Sequence, residues 1–273
     1  MNNESRQSFL GDALESRLES ERPSIVGLCG GGSHVGQQLA HIGFRHIGLY
    51  DFDHVEDSNL TRMIGSCPAD ARNAELKTNV IKRLINGINP GCEVAPFEVR
   101  WQDAAEELRQ SSIIFGCVDN ITVREELERF ARKHLIPYID VGMDVHEVDT
   151  GFSISGQVAV SLPNKPCLRC MGIVTDTAIA REHQRYGDAG GRPQVVWPNG
   201  VLASTAVGLY MSMILPWAKN TEQPLLKEYD GNRHEMVESR KTPLLHSATC
   251  RHHPPGRDLG DPFFSITNLD TGR

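Results

Sequence analysis

This 273-residue chain predicts an α/β fold, a Rossmann-like doubly wound and mostly parallel sheet with additional antiparallel strands. Three observations lead there. The run "SIVGLCGGG" (residues 24–32) is a short apolar strand that ends in glycines and passes into a helical pattern. Strand-like runs then alternate with helix-like ones to about residue 150, and they are too continuously apolar for a half-exposed sheet. After Gly151 the rhythm changes to the strict alternation of "FSISGQVAVSLP", the pattern of an antiparallel strand.

Each element has its own justification. "SHVGQQLAHIGF" carries apolar residues at helical spacing, and "HIGLYDFD" is a second buried strand. "AELKTNVIKRLINGINP" is an amphipathic helix ended by Gly87 and Pro90. "CEVAPFEVR" and "SIIFGCVD" are strands flanking the helical "DAAEELRQS". "TVREELERFARKHL" is a helix with a charged face, and "PYIDVGMDV" returns to strand. Between Met171 and Asn199 lies a polar stretch with room for one short helix. "LLKEYDGNRHEMVESR" reads as a hairpin around Asp230 and Gly231. The chain divides into an N-terminal arm (1–22), a main domain (23–218) and a C-terminal hairpin and tail (219–273).

The bulk properties narrow the function. A net charge of −7 gives no general affinity for nucleic acid or an anionic membrane. The most apolar run, "GVLASTAVGLYMSMILPWA", contains Ser204 and Thr205 and ends on Pro216, so it reads as a buried helix rather than a membrane span. The polar N-terminus shows no secretory signal, and the seven cysteines then read as reduced thiols or metal ligands in a cytoplasmic protein.

The candidate site residues cluster at predicted strand ends. Gly27, Gly30, Gly31 and Gly32 let backbone N–H groups approach a phosphate at a helix start, or simply make a tight turn. Asp51 ends the second strand, where an acid bonds ribose hydroxyls, and Asp53 can hold a ribose, hold a metal or cap the loop. Asn59, Arg62 and Lys77 add a neutral donor and two cations suited to a phosphate chain, although Lys77 alone reads equally as a solvated lysine. Asp119 follows a strand end and suits Mg²⁺ or the N-cap of the next helix. Cys167 and Cys170 form a Cys-x-x-Cys pair, and Cys250 with one of the neighbouring His252 and His253 supplies the rest of a closed four-ligand zinc site. That site would tether the C-terminal segment to the body of the fold.

In order and spacing, "VGLCGGGS", "DFDHVEDSNLTR", Lys77, "VDN" and "CLRC" resemble the ThiF/MoeB/HesA family, the adenylating fold of ubiquitin-activating enzymes. The resemblance covers roughly residues 5–216. It implies ATP and Mg²⁺ as cofactors and adenylation of the C-terminal carboxylate of a ubiquitin-like or sulfur-carrier protein, usually one ending in Gly-Gly. By motif match, Gly30 lies at the phosphates and Asp51 at the ribose. Asn59, Arg62 and Lys77 serve the phosphate chain, with Asp119 at the metal and α-phosphate. An arginine in an "RQ" pair before the first strand reaches ATP across a homodimer interface in the family, and Arg6 with Gln7 stands there. Family members typically carry two Cys-x-x-Cys pairs; here the second reads Cys-x-x-His, which favours His253 over His252.

Departures from the pattern matter too. Met63 follows Arg62 where family members often have Gln, and Cys29 stands where such turns usually carry glycine. No cysteine lies between Gly172 and Asn199, the loop in which many members carry an acceptor thiol. This favours protein conjugation through a partner such as a conjugating enzyme, without a thioester on this chain. The competing readings are a non-catalytic nucleotide-binding member and an NAD-dependent oxidoreductase. The latter leaves the Asn59–Arg62 block unexplained.

Overall fold

The computed structural model describes residues 7–149, 151–184, 193–215, 217, 225–253 and 260. One eight-stranded sheet organises them, in the order β3-β2-β1-β4-β5-β6-β7-β8. Strands β1 (Pro23–Val26), β2 (His46–Tyr50), β3 (Glu93–Phe97), β4 (Ile113–Gly116) and β5 (Tyr138–Val148) run parallel. Strands β6 (Gly151–Ser161), β7 (Leu226–Asp230) and β8 (Glu235–Glu238) extend the sheet antiparallel. The helices are α1 (Leu14–Ser20), α2 (Gly30–Ile42), α3 (Pro68–Arg72), α4 (Lys77–Ile88), α5 (Ala105–Leu108), α6 (Ile121–Lys133), α7 (Leu168–Met171), α8 (Asp176–Gln184), α9 (Val196–Ile214) and α10 (Thr242–Ser247). The parallel core, the antiparallel extension and the hairpin at Asp230–Gly231 all follow the sequence expectation.

Two apolar cores cover the two faces, and alternation along the strands divides them. Ile25, Leu49 and Phe115 join the core formed with α2, α4 and α9, while their neighbours Val26, Tyr50 and Ile114 join the core beneath α5 and α6. The apolar run of α9 packs against α2, β5 and β6, as its reading as a buried helix requires. Among the described residues no helix is long and apolar enough to cross a membrane.

The strand order reverses between β1 and β4. In a doubly wound sheet this leaves a crevice at the carboxyl ends of the two strands, because the chain departs in opposite directions from them. Gly27 (φ 88°) makes the turn out of β1 in a backbone region that side chains disfavour. A β-carbon at Gly32 would collide with the Gly27 carbonyl oxygen, so the first turn of α2 can close onto the strand only with glycine there.

Candidate active site

A cavity of about 400 Å³ opens at this switch point. Its floor is the glycine turn from Gly27 to Gly31, and Asp51, Arg62, Lys77, Asp119 and Asn199 stand around it. Phe52, Val99 and Trp101 supply an apolar wall, with the Arg100 guanidinium 5.6 Å above the centre of the Phe52 ring.

Charge is placed by local structure. Asp51 accepts the Leu28 N–H at 2.8 Å and the Asp53 N–H at 2.9 Å, bracing the glycine turn against the loop after β2. Lys77 is the first residue of α4 and is 7% exposed, so it is not a solvated helix lysine. Its Nζ donates to Asp53 Oδ2 at 2.8 Å. Burial lowers the Lys77 ammonium, but the Asp51 charge and the Asp53 bond outweigh it and hold the group above its ordinary value. Burial likewise lifts the Asp51 carboxyl above the usual carboxylate range, with Lys77 opposing that rise. A compact cation therefore remains charged beside the glycine turn.

The family model for the ThiF family matches residues 2–251. The chain belongs to the ThiF family. Among similar proteins, the SAMP-activating enzyme E1 of Haloferax volcanii is 29% identical over 164 residues, which is 59% of this chain and 57% of that protein. The molybdopterin-synthase adenylyltransferase of Haemophilus influenzae is 30% identical over 159 residues, 57% of this chain and 61% of that one. The matches thus span about three fifths of these relatives' length. The solved structure of E. coli MccB with MccA-N7isoASN superposes with a TM-score of 0.70 at 19% identity, covering 85% of this chain and 68% of MccB. At that identity the likeness concerns the fold.

Measured against the ThiF pattern, Gly30, Asp51, Asp53, Arg62, Lys77 and Asp119 all line the crevice. Two expected members do not. Asn59 is buried in a capping box, its Oδ1 accepting the Glu56 N–H at 3.1 Å, because a short polar side chain at the third position of the 3₁₀ turn reaches back to the free donor of its N-cap. Gly32 is taken up by helix–strand packing rather than by the cavity. The N-cap of α6 is Asn120, whose Oδ1 accepts the Val123 N–H at 2.9 Å, so Asp119 is not spent as a cap. Arg6 lies outside the described residues. Cys29 does not take the positive φ of a glycine turn (φ −77°, ψ −119°), and Met63 is a core residue.

Sequence reasoning missed Asn199 and Arg124. Asn199 sits in the first turn of α9, and a β-carbon at Gly30 would meet its amide nitrogen at 2.5 Å. The glycine is therefore needed for α9 to approach the turn, and no pattern in the sequence shows it. Arg124 is the third residue beyond Ile121 in the "DNITVR" stretch, where it reads as one more charge on an exposed face. It is 5% exposed instead, with Nη1 donating to the wholly buried Asp140 Oδ2 at 2.7 Å. Thr175 and Thr177 share a 3.0 Å hydroxyl contact, and Thr175 caps the Ala178 N–H at 3.1 Å.

A second cluster lies at the far end of α6. Ligand atoms of Cys167, Cys170, Cys250 and His252 fall within 4.8 Å of one another. Cys167 Sγ is 3.7 Å from Cys170 Sγ and 3.3 Å from His252 Nδ1, and Cys170 Sγ is 3.4 Å from the same nitrogen. Tetrahedral zinc with Zn–S near 2.3 Å needs sulfur atoms about 3.8 Å apart, so these donors fit zinc. His252 is the histidine within reach of all three cysteines, whereas His253, favoured by the sequence, groups instead with Glu128 and Cys167. His253 is buried, with Nε2 3.8 Å from Glu128 Oε2.

Proposed function

We propose that this ThiF-family chain is an adenylyltransferase that uses ATP and Mg²⁺ to activate the C-terminal carboxylate of a ubiquitin-like or sulfur-carrier protein. One observation carries the reading: the glycine turn, Arg62, Lys77 and Asp119 converge on one cavity at the switch point of the sheet. The aromatic wall suits a purine, and Asp51 stands where a ribose would pass. A carboxylate attacking the α-phosphorus is an anion approaching an anion. The task of the site is therefore to neutralise charge at the phosphorus and on the departing pyrophosphate. Lys77, pre-oriented by Asp53, and Arg62 do this by position. Asp119 would hold Mg²⁺, which when bound supplies further neutralisation at the phosphates. No general base is needed, because a carboxyl terminus is already ionised at neutral pH.

The absence of cysteine from 173–198 supports direct transfer of the activated carboxylate to a nucleophile on a partner, as in conjugation through a conjugating enzyme. Thr175 and Thr177 are weaker internal acceptors, since the Thr175 hydroxyl caps the start of α8 and Thr177 is bonded to it. Arg6 would complete the site of a neighbouring subunit in a homodimer. Cys167, Cys170, Cys250 and His252 would hold a structural zinc that ties the C-terminal segment to α7.

The test is ATP–pyrophosphate exchange in the presence of candidate carriers ending in Gly-Gly. Exchange that requires both the carrier and its free C-terminal carboxylate is the expected result. ATP binding with every candidate carrier silent would favour a non-catalytic member, and tight NAD binding without ATP binding would overturn the reading altogether.

A further inference from the structure

Cys167 belongs to two groups of donors rather than one. Beside the set with Cys170, Cys250 and His252, its ligand atom lies within 4.8 Å of those of Glu128 and His253. Burial separates the two groups. Glu128 is 1% exposed, His253 7% and Cys167 not at all, whereas the first group opens to solvent at His252. The second group also gathers distant segments, with Glu128 on α6, Cys167 as the N-cap of α7 and His253 in the turn after α10.

Three observations point to a cation among them. Glu128 is held in place, because its Oε1 accepts the Leu168 N–H at 2.8 Å while Oε2 is the atom nearest His253. Glu128 Oε2 and His253 Nε2 are 3.8 Å apart, too long for a hydrogen bond. Two such donors, each about 2.0–2.2 Å from one ion, stand roughly 3.3–4 Å apart, so the gap has the width of a shared cation. Charge is the third. A divalent ion in the first group meets three thiolates and a neutral imidazole, which leaves a net negative charge beside the Glu128 carboxylate. Buried like charges are costly without a counter-charge. Arg132, one turn further along α6, donates instead to Ser161 Oγ and to the Leu162 and Lys165 carbonyls.

We propose that Glu128, Cys167 and His253 form a second divalent-cation site that shares the Cys167 thiolate with the first. The inference rests on reading the thiol cluster as a metal centre and adds a second ion to it. A thiolate has lone pairs enough to bridge two metals. One carboxylate, one imidazole and one thiolate suit zinc or cobalt rather than magnesium or calcium. Three protein donors leave a coordination position for water, whereas the first group is closed. The second ion is therefore the weaker bound, and purified protein carries mainly the first. Its charge offsets the Glu128 carboxylate and ties α6 to the C-terminal segment.

The experiment titrates the full chain, as purified with its zinc, with cobalt(II) chloride, followed by absorption and elemental analysis. Each chain should take up one cobalt while keeping its zinc. A thiolate-to-cobalt charge-transfer band should grow with that uptake, because Cys167 is a donor. Cobalt on exposed carboxylates or imidazoles gives no such band. Glu128→Gln keeps an oxygen for the Leu168 N–H but loses the charge, so it should weaken cobalt uptake tenfold or more. His253→Ala should do the same, and both variants should retain zinc, which reports an intact first group. Protein that takes up no cobalt beyond its zinc would overturn the second site. So would cobalt that merely replaces zinc, or a thiolate band that both variants retain at full strength. Purified protein without zinc, and without a thiolate band on adding cobalt, would instead count against the thiol cluster as a metal centre.

Discussion

In the parallel strands β1 to β5 the address that matters is the strand end, whereas in the antiparallel β6 to β8 it is the face. Most crevice residues that the sequence suggested follow the end of a parallel strand or open the next helix: Gly30 after β1, Asp51 after β2, Asp119 after β4, Lys77 at the start of α4, with Arg62 the exception in the loop between β2 and α3. Backbone ends and helix starts supply directed donors and leave room for anions. The antiparallel half has no such convergence point. Its resources are lateral rows, such as Gly142–Gln157–Glu228, and a thiol cluster that gathers distant chain segments. On this comparison the candidate nucleotide crevice belongs to the parallel half, and the thiol cluster to the antiparallel one.

The largest expected effect breaks the chemistry alone. Asp119→Ala should reduce pyrophosphate exchange by about 10³-fold or more while ATP affinity changes much less, because charge placement acts mainly in the transition state. Mixing inactive Asp119→Ala chains with inactive Arg6→Ala chains should restore activity if the arm completes a neighbour's site, since some mixed dimers then contain one intact site. Proportionate losses of ATP affinity and exchange would show that Asp119 serves ground-state binding. A mixture that stays inactive despite confirmed subunit exchange would remove Arg6 from the site.

Next comes the thiol cluster. Elemental analysis should find about one zinc per chain, and Cys170→Ser or chelation should lower stability by several kcal/mol, since a closed metal site contributes folding free energy directly. The remaining folded protein should still bind ATP normally. His252→Ala should reproduce the effect and His253→Ala should not abolish metal binding, which separates the two histidines. Loss of ATP binding in proportion to zinc would mean that the halves are coupled and the division drawn above is wrong.

The sequence made the parallel half legible because its signals are local. Glycines that turn a strand into a helix, and acids at strand ends, declare themselves within a few residues of the backbone feature they serve. What stayed hidden depends on separation. Arg124 looks like a surface charge until Asp140, sixteen residues on in the sequence, is seen buried against it. Asn199 meets Gly30 from the far side of the chain. Asn59 is ambiguous for the opposite reason: a capping box and a phosphate donor call for the same residue type, and the structure shows the capping box. Which of His252 and His253 faces the three cysteines depends on which way a short turn points, and adjacent residues with identical side chains carry no sequence signal for that.

The smallest expected effect lies inside the parallel half and concerns stability rather than chemistry. Between β2 and α4 the chain makes an excursion that carries Arg62 toward the crevice. Asp70 on α3 anchors it, accepting from Arg83 of α4 at 2.9 and 2.8 Å and from the Cys67 N–H at 2.8 Å. The Arg83 bonds hold the Asp70 carboxyl down at about 2, against an ordinary 3.8. The folded state thus favours the ionised form, so the stabilisation is complete above the unfolded carboxyl's range and is lost as pH falls toward 2. Because Arg83 is half exposed and screened by solvent, the contribution should be about 1–2 kcal/mol. Urea denaturation of Asp70→Asn at pH 6 should show that deficit, and the gap from wild type should close as the pH is lowered from 5 to 2.5. Crevice affinity for ATP should change little at pH 7, since neither Asp70 nor Arg83 lines the cavity. A gap that persists undiminished at pH 2.5 would assign the loss to packing of α3 rather than to the carboxylate charge.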